Sequence, residues 1–115
     1  MQPSAFSPEF SCAVSPDRER VVVRVSGELD FGAAPELART VEELLEVGFA
    51  HIVIDLRDLR FLDSAGVHTL LAAQHGADER GTALSLVKGP GPVHRVMELT
   101  ATDALFAFAQ RGVDR

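Results

Sequence analysis

Neither tryptophan nor tyrosine occurs in the 115-residue sequence, cysteine occurs once, and lysine supplies one of the eleven basic side chains. Each shortage closes off a class of function. The lone Cys12 can form neither an internal disulfide nor a zinc cluster, which excludes the disulfide scaffolds of small secreted proteins. The seven Phe do not alternate with bases, so no platform exists on which single-stranded bases could stack. The bases are scattered, and the 17 acids leave a net charge of −6. Nucleic-acid binding, whose affinity comes from clustered Lys and Arg, is disfavoured. No apolar run reaches the roughly 20 residues needed to cross a bilayer. The first ten residues, MQPSAFSPEF, lack the basic start and apolar stretch of a signal peptide. A cytoplasmic protein with no membrane partner is the expectation.

What is present suffices for one core. At 46% apolar and 24% charged residues the chain is globular, and one of this length buries roughly two-thirds of the surface its unfolded form exposes. One domain over residues 1–115 is expected, with residues 1–8, which carry Pro3 and Pro8, as a loose lead-in. A strand near Phe10–Val14, a turn at Pro16-Asp17 and a β-branched strand at Val21–Val25, ended by Gly27, predict an antiparallel pair. Leu37, Val41, Leu44 and Leu45 recur at helical spacing within Ala33–Val47, with Pro35 in the first turn and Gly48 just past the end. His51–Leu56 is nearly all apolar, as in a strand covered on both faces. Asp63 caps a second helix, carrying Val67, Leu70, Leu71 and Ala73 inward and stopping near Gly81. A buried strand at Ala83–Val87 and a helix at Pro92–Leu99 follow, and residues 104–108 fit a strand or a helical turn equally. The order β-β-α-β-α-β-α is that of an α/β fold with a mixed, mainly parallel sheet.

The most unusual local chemistry lies at Leu62-Asp63-Ser64-Ala65-Gly66, where a buried strand gives way to a helix. Such carboxyl edges are where α/β proteins place their sites. Ser64 takes the first helical position, beside unpaired amides that favour an anion. Gly66 falls inside the first turn, at a cost of about 1 kcal/mol against Ala. A partner approaching the bare backbone would explain it, and Gly66→Leu would then leave stability nearly unchanged or slightly raised. The bland alternative is an Asp cap followed by small residues. Ser64 is not an activated nucleophile: the hydrolase elbow Gly-x-Ser-x-Gly has Leu at position 62, and no triad order links His51, His68, His75 and His94. His68 and His75, seven apart with no third ligand, make no metal site. Lys88-Gly89-Pro90-Gly91-Pro92 lacks the ending of a phosphate loop and reads as a turn into a helix. Cys12 reads as a small core residue. Gly27-Glu28-Leu29-Asp30 puts two acids, Glu28 and Asp30, near the same edge as Ser64.

Together, Val-Ser-Gly-Glu-Leu-Asp (25–30), His51 through Gly66 with its Phe-Leu-Asp-Ser-Ala-Gly ending, and Val-Met-Glu-Leu-Thr (96–100) resemble the STAS domain. More narrowly, the chain is similar to bacterial anti-sigma factor antagonists from about Val21 to Phe108. It departs at Ala101, where that family usually has Gly.

The resemblance implies a binding switch and not an enzyme, with no cofactor and no metal. In such proteins the unmodified form binds an anti-sigma factor that is also a serine kinase of the histidine-kinase-like ATPase type. This frees a sigma factor for transcription. Phosphorylation of the motif serine, here Ser64, releases the antagonist, and a metal-dependent serine phosphatase restores it. The implied partner-binding residues are Glu28, Asp30, Asp63, Ser64, Ala65 and Gly66. A different class with the same turn is the accessory subunit that regulates the ATPase of a phospholipid-transport ABC system, where Ser64 need not be phosphorylated.

Overall fold

Residues 20–29 begin as alternating β-branched side chains, and the alternation decides which face is dry. In the computed structural model, which describes residues 9–109, they form strand β2 (Arg20–Leu29), with Val21, Val23, Val25 and Leu29 fully buried on one side. The lead-in expected over residues 1–8 lies outside the described residues. β2 pairs antiparallel with β1 (Phe10–Asp17) and parallel with β3 (His51–Leu62). β4 (Ala83–Val87) and the two-residue β5 (Ala107–Phe108) extend the parallel part, so the sheet order is β1-β2-β3-β4-β5. Residues 104–108 thus resolve into both candidates: a 3-10 turn at Asp103–Leu105 precedes the short strand.

Helices α1 (Ala34–Val47), α2 (Ser64–Arg80) and α3 (Gly91–Leu99) are the crossovers between successive parallel strands. Crossovers of one hand that always step in one direction put every helix on one face. The core confirms this: Leu37 and Val41 of α1, Val67 and Leu70 of α2, and Val93 and Met97 of α3 share a single cluster with Val23, Ile54 and Leu86. The other face carries a small second cluster, Val22 and Val53, with Val87 and Ala109 against it. There Asp55, 2% exposed, accepts two hydrogen bonds from the Arg57 guanidinium at 2.9 and 3.0 Å, with Arg24 at 3.9 Å. His51 Nε2 lies 2.8 Å from Ser85 Oγ on the neighbouring strand.

Three strand boundaries differ from the sequence-based expectation. The hairpin turns at Arg18-Glu19, not at Pro16-Asp17, because β1 is an edge strand and tolerates Pro16 within it. Gly27 does not end β2. It sits at φ 90° where a Cβ would lie 1.5 Å from the Glu9 carbonyl oxygen, so its bare backbone lets the two strands close while β2 continues to Leu29. β3 runs six residues past Leu56, through two shifts of register against β2. Asp55 stabilises the first irregularity by accepting the Arg57 N–H at 3.0 Å.

Candidate functional site

The extra length of β3 and β2 carries both strands to the same edge, where β2 feeds α1 and β3 feeds α2. Asp63 stands at the junction in an extended conformation, capping α2. Its Oδ1 accepts the Gly66 N–H at 2.9 Å, and its Oδ2 accepts the Phe31 N–H at 3.2 Å. One carboxylate therefore fixes the start of α2 and, at the same time, the loop that precedes α1. Asp30 does parallel work in that loop, where its Oδ1 accepts the Ala33 N–H at 3.0 Å. Both acids are structural ties, and both are half-buried.

Between the two helix starts lies an open groove of about 810 Å³. Its walls are Phe31, Ala34, Pro35 and Ala38 on one side and Ser64, Ala65, His68 and Thr69 on the other. Phe31 is 82% exposed, which no packing requirement of this fold explains. A ring presented to solvent on an amide that is itself pinned is a rigid apolar anchor of the kind interfaces use. Ser64 is exposed at the first position of α2, and its hydroxyl makes no hydrogen bond to a described residue. Thr69, by contrast, turns its hydroxyl onto the Ala65 carbonyl at 3.0 Å.

The six residues expected at a binding surface therefore divide. Ser64 and Ala65 line the groove, while Asp30 and Asp63 hold its frame. Glu28 is 3.8 Å from Arg60, which also meets Glu9 at 2.6 Å, and does not line the groove. Gly66 is buried. A Cβ there would stand 2.5 Å from the Leu29 carbonyl oxygen and 2.7 Å from Leu62 Cδ1. The bare backbone is required by the protein's own β2, whose Leu29 carbonyl also accepts the Asp63 N–H at 3.3 Å, so an internal neighbour suffices to explain the glycine. Phe31, Pro35 and His68 also line the groove and are not among the residues expected at a binding surface. Phe31 could have been found from its place directly after the Gly-Glu-Leu-Asp loop, where a large apolar side chain has no helical partner to bury it.

Away from the groove, His94 is buried on α3, its Nδ1 without a hydrogen-bond partner among the described residues and its ring edge-on to Phe108 at 5.4 Å. Glu98 and Asp103 bring carboxylate oxygens near the same imidazole, within 4.8 Å of one another. Cys12 is partly buried as expected, and burial, with Glu36 nearby, pushes its thiol up to about 11 against a hydrogen bond from Thr40. A thiol so protonated at neutral pH is inert.

A family model described as "Mlab, STAS domain" matches residues 12–107. The chain belongs to the STAS domain family. This STAS domain is 28% identical over 81 residues to an anti-sigma F factor antagonist of Paenibacillus polymyxa, covering 70% of this chain and 69% of that one. The crystal structure of an anti-sigma factor antagonist from Mycobacterium paratuberculosis superposes with a TM-score of 0.79 at 29% identity, over 91% of each chain. The anti-sigma factor antagonist SpoIIAA in its unphosphorylated form shares the fold, with a TM-score of 0.74 at 22% identity over 88% of this chain and 90% of that one. Among the described residues, no helix is long and apolar enough to cross a membrane.

Proposed function

We propose that this STAS domain is an anti-sigma factor antagonist that acts in the cytoplasm as a binding switch rather than as an enzyme. Its unmodified form binds an anti-sigma factor of the serine-kinase type through the groove between α1 and α2. The kinase phosphorylates Ser64, the complex separates, and a metal-dependent phosphatase returns the hydroxyl. The observation that carries this reading is an exposed Ser64 hydroxyl, with no hydrogen bond to a described residue, at the wall of an apolar groove beside the exposed Phe31. Anti-sigma factor antagonists among the similar proteins support it. Phosphate brings about −1.5 to −2 charges to the modified serine. In the free domain that charge stays in water beside a helix start. In a complex it must be desolvated against a surface shaped for a neutral hydroxyl, and that difference drives release.

The test is titration of wild type, Ser64→Ala, Ser64→Asp and Phe31→Ala against a serine-kinase anti-sigma factor. Ser64→Ala should bind like wild type and accept no phosphate from ATP. Ser64→Asp should bind at least about tenfold more weakly with little change in melting temperature. Phe31→Ala should weaken binding by a similar factor without loss of stability. Phosphate incorporated into Ser64→Ala would overturn the assignment. Equal affinity of wild type and Ser64→Asp would favour the other class, a transport-accessory subunit for which the turn is a fixed docking surface. The Mlab description of the family model keeps that second reading in view.

A further inference from the structure

His68 occupies a place that the proposed switch does not use. It lies four residues after Ser64 on the same helix, and both side chains line the groove. Side chains four apart on an α-helix are neighbours, with Cβ atoms about 6 Å apart, and helical side chains lean toward the N-terminus. That spacing puts the His68 imidazole and the Ser64 hydroxyl on the same stretch of groove wall, within reach of one another. The other described residues of the groove wall carry no charge: α1 contributes Ala34, Pro35 and Ala38, the loop contributes Phe31 and Gly32, and α2 adds Ser64, Ala65 and Thr69. The acids nearest the helix start, Asp63 and Asp30, have carboxylate oxygens occupied by the backbone N–H groups of Gly66, Phe31 and Ala33. Arg60, at the end of β3, is held by Glu9 and Glu28. Among the described residues, His68 is the one titratable side chain that lines the groove.

We infer that His68 is the counter-cation of phosphorylated Ser64, which makes the release signal depend on pH. The inference rests on Ser64 being the site of phosphorylation. A phosphoserine loses its second proton near pH 6 and an unperturbed histidine near pH 6.5. Each ionised group favours the charged form of the other, so phosphorylation raises the pKa of His68, and His68 lowers that of the phosphate. Below both values the pair approaches zero net charge. Well above them the imidazole is neutral, and the groove wall carries the full dianion. The contrast between modified and unmodified protein is therefore greatest on the alkaline side and shrinks as the pH falls.

The experiment places phosphoserine at position 64 during protein synthesis, so that no kinase is involved. Imidazole carbon-bound protons and the phosphorus resonance are then followed by NMR through pH 5–9. The His68 pKa should rise by about half a unit on phosphorylation, the shift expected of a neighbouring helical ion pair carrying a double charge. His75, two turns further along α2, should not move and serves as the internal control. His68→Gln should raise the second pKa of the phosphate relative to the phosphorylated protein with His68. Unchanged titration of His68, or of the phosphate in His68→Gln, overturns the pairing. If the pair forms here but a serine-kinase anti-sigma factor leaves wild-type Ser64 unmodified, the pairing stands and the proposed switch falls.

Discussion

Ala101 holds a backbone conformation that its side chain resists. Its φ is 59°, in the left-handed region, directly after the cap of α3. The Ala101 N–H bonds to the Glu98 carbonyl at 3.0 Å and the Thr102 N–H to the Met97 carbonyl at 2.9 Å. Those two bonds close the paired-loop ending in which glycine is usual, because a Cβ in that conformation crowds the following carbonyl. The departure from Gly noted in the sequence thus has a physical location and an energetic sign. Ala101→Gly should raise unfolding free energy by about 1 kcal/mol, the relief of left-handed strain less the extra freedom of the unfolded chain. Urea denaturation would register it, and a lower midpoint would contradict the account.

Helix α2 is the element whose start serves two purposes, and its third residue shows how far sequence reasoning reached. Gly66 was noticeable because glycine is costly in a first helical turn, yet the spacing gave no means of telling an external neighbour from an internal one. The neighbour is Leu29, 37 positions earlier in the chain, and only the three-dimensional crossing of β2 and α2 brings them together. Gly66→Ala should therefore lower stability by about 1–3 kcal/mol, since overpacking outweighs the gain in helix propensity. Gly66→Leu should cost more, contrary to the sequence-based expectation. A denaturation midpoint equal to wild type for Gly66→Ala would show that β2 can yield. The same division runs through the other elements. Periodicity revealed α1 and α2 with their buried faces, because Leu37, Val41, Val67 and Leu70 repeat at helical spacing. The last six residues of β3 were illegible, because Asp58 and Arg60 break the apolar run and its register shifts depend on β2. The turn that carries Ser64 was legible from its motif, whereas the groove was not, since its walls come from two helices whose starts lie 30 residues apart in the chain.

For the molecule as a whole, the sparsely covered sheet face ties stability to pH. Burial, and secondarily the positive charge of Arg20, hold the His51 imidazole below its ordinary pKa. The fold thus prefers neutral His51, and the unfolded chain takes up the proton first as the pH drops. The stabilisation is complete above about pH 6.5 and is lost as the pH falls through the lower folded value. Urea midpoints measured at pH 7.5 and 5.5 should fall for wild type, and fall less for His51→Gln. An equal drop in both would assign the acid sensitivity to other groups. The order of strands in the sheet, the same as their order in the chain, has a consequence for biosynthesis. Each strand can add to an edge left by the strand before it, so no segment must wait for a distant C-terminal partner or be threaded between two earlier ones. Both walls of the groove lie within residues 31–69, so everything that forms them has left the ribosome before β4 emerges. The groove can take shape on a nascent chain.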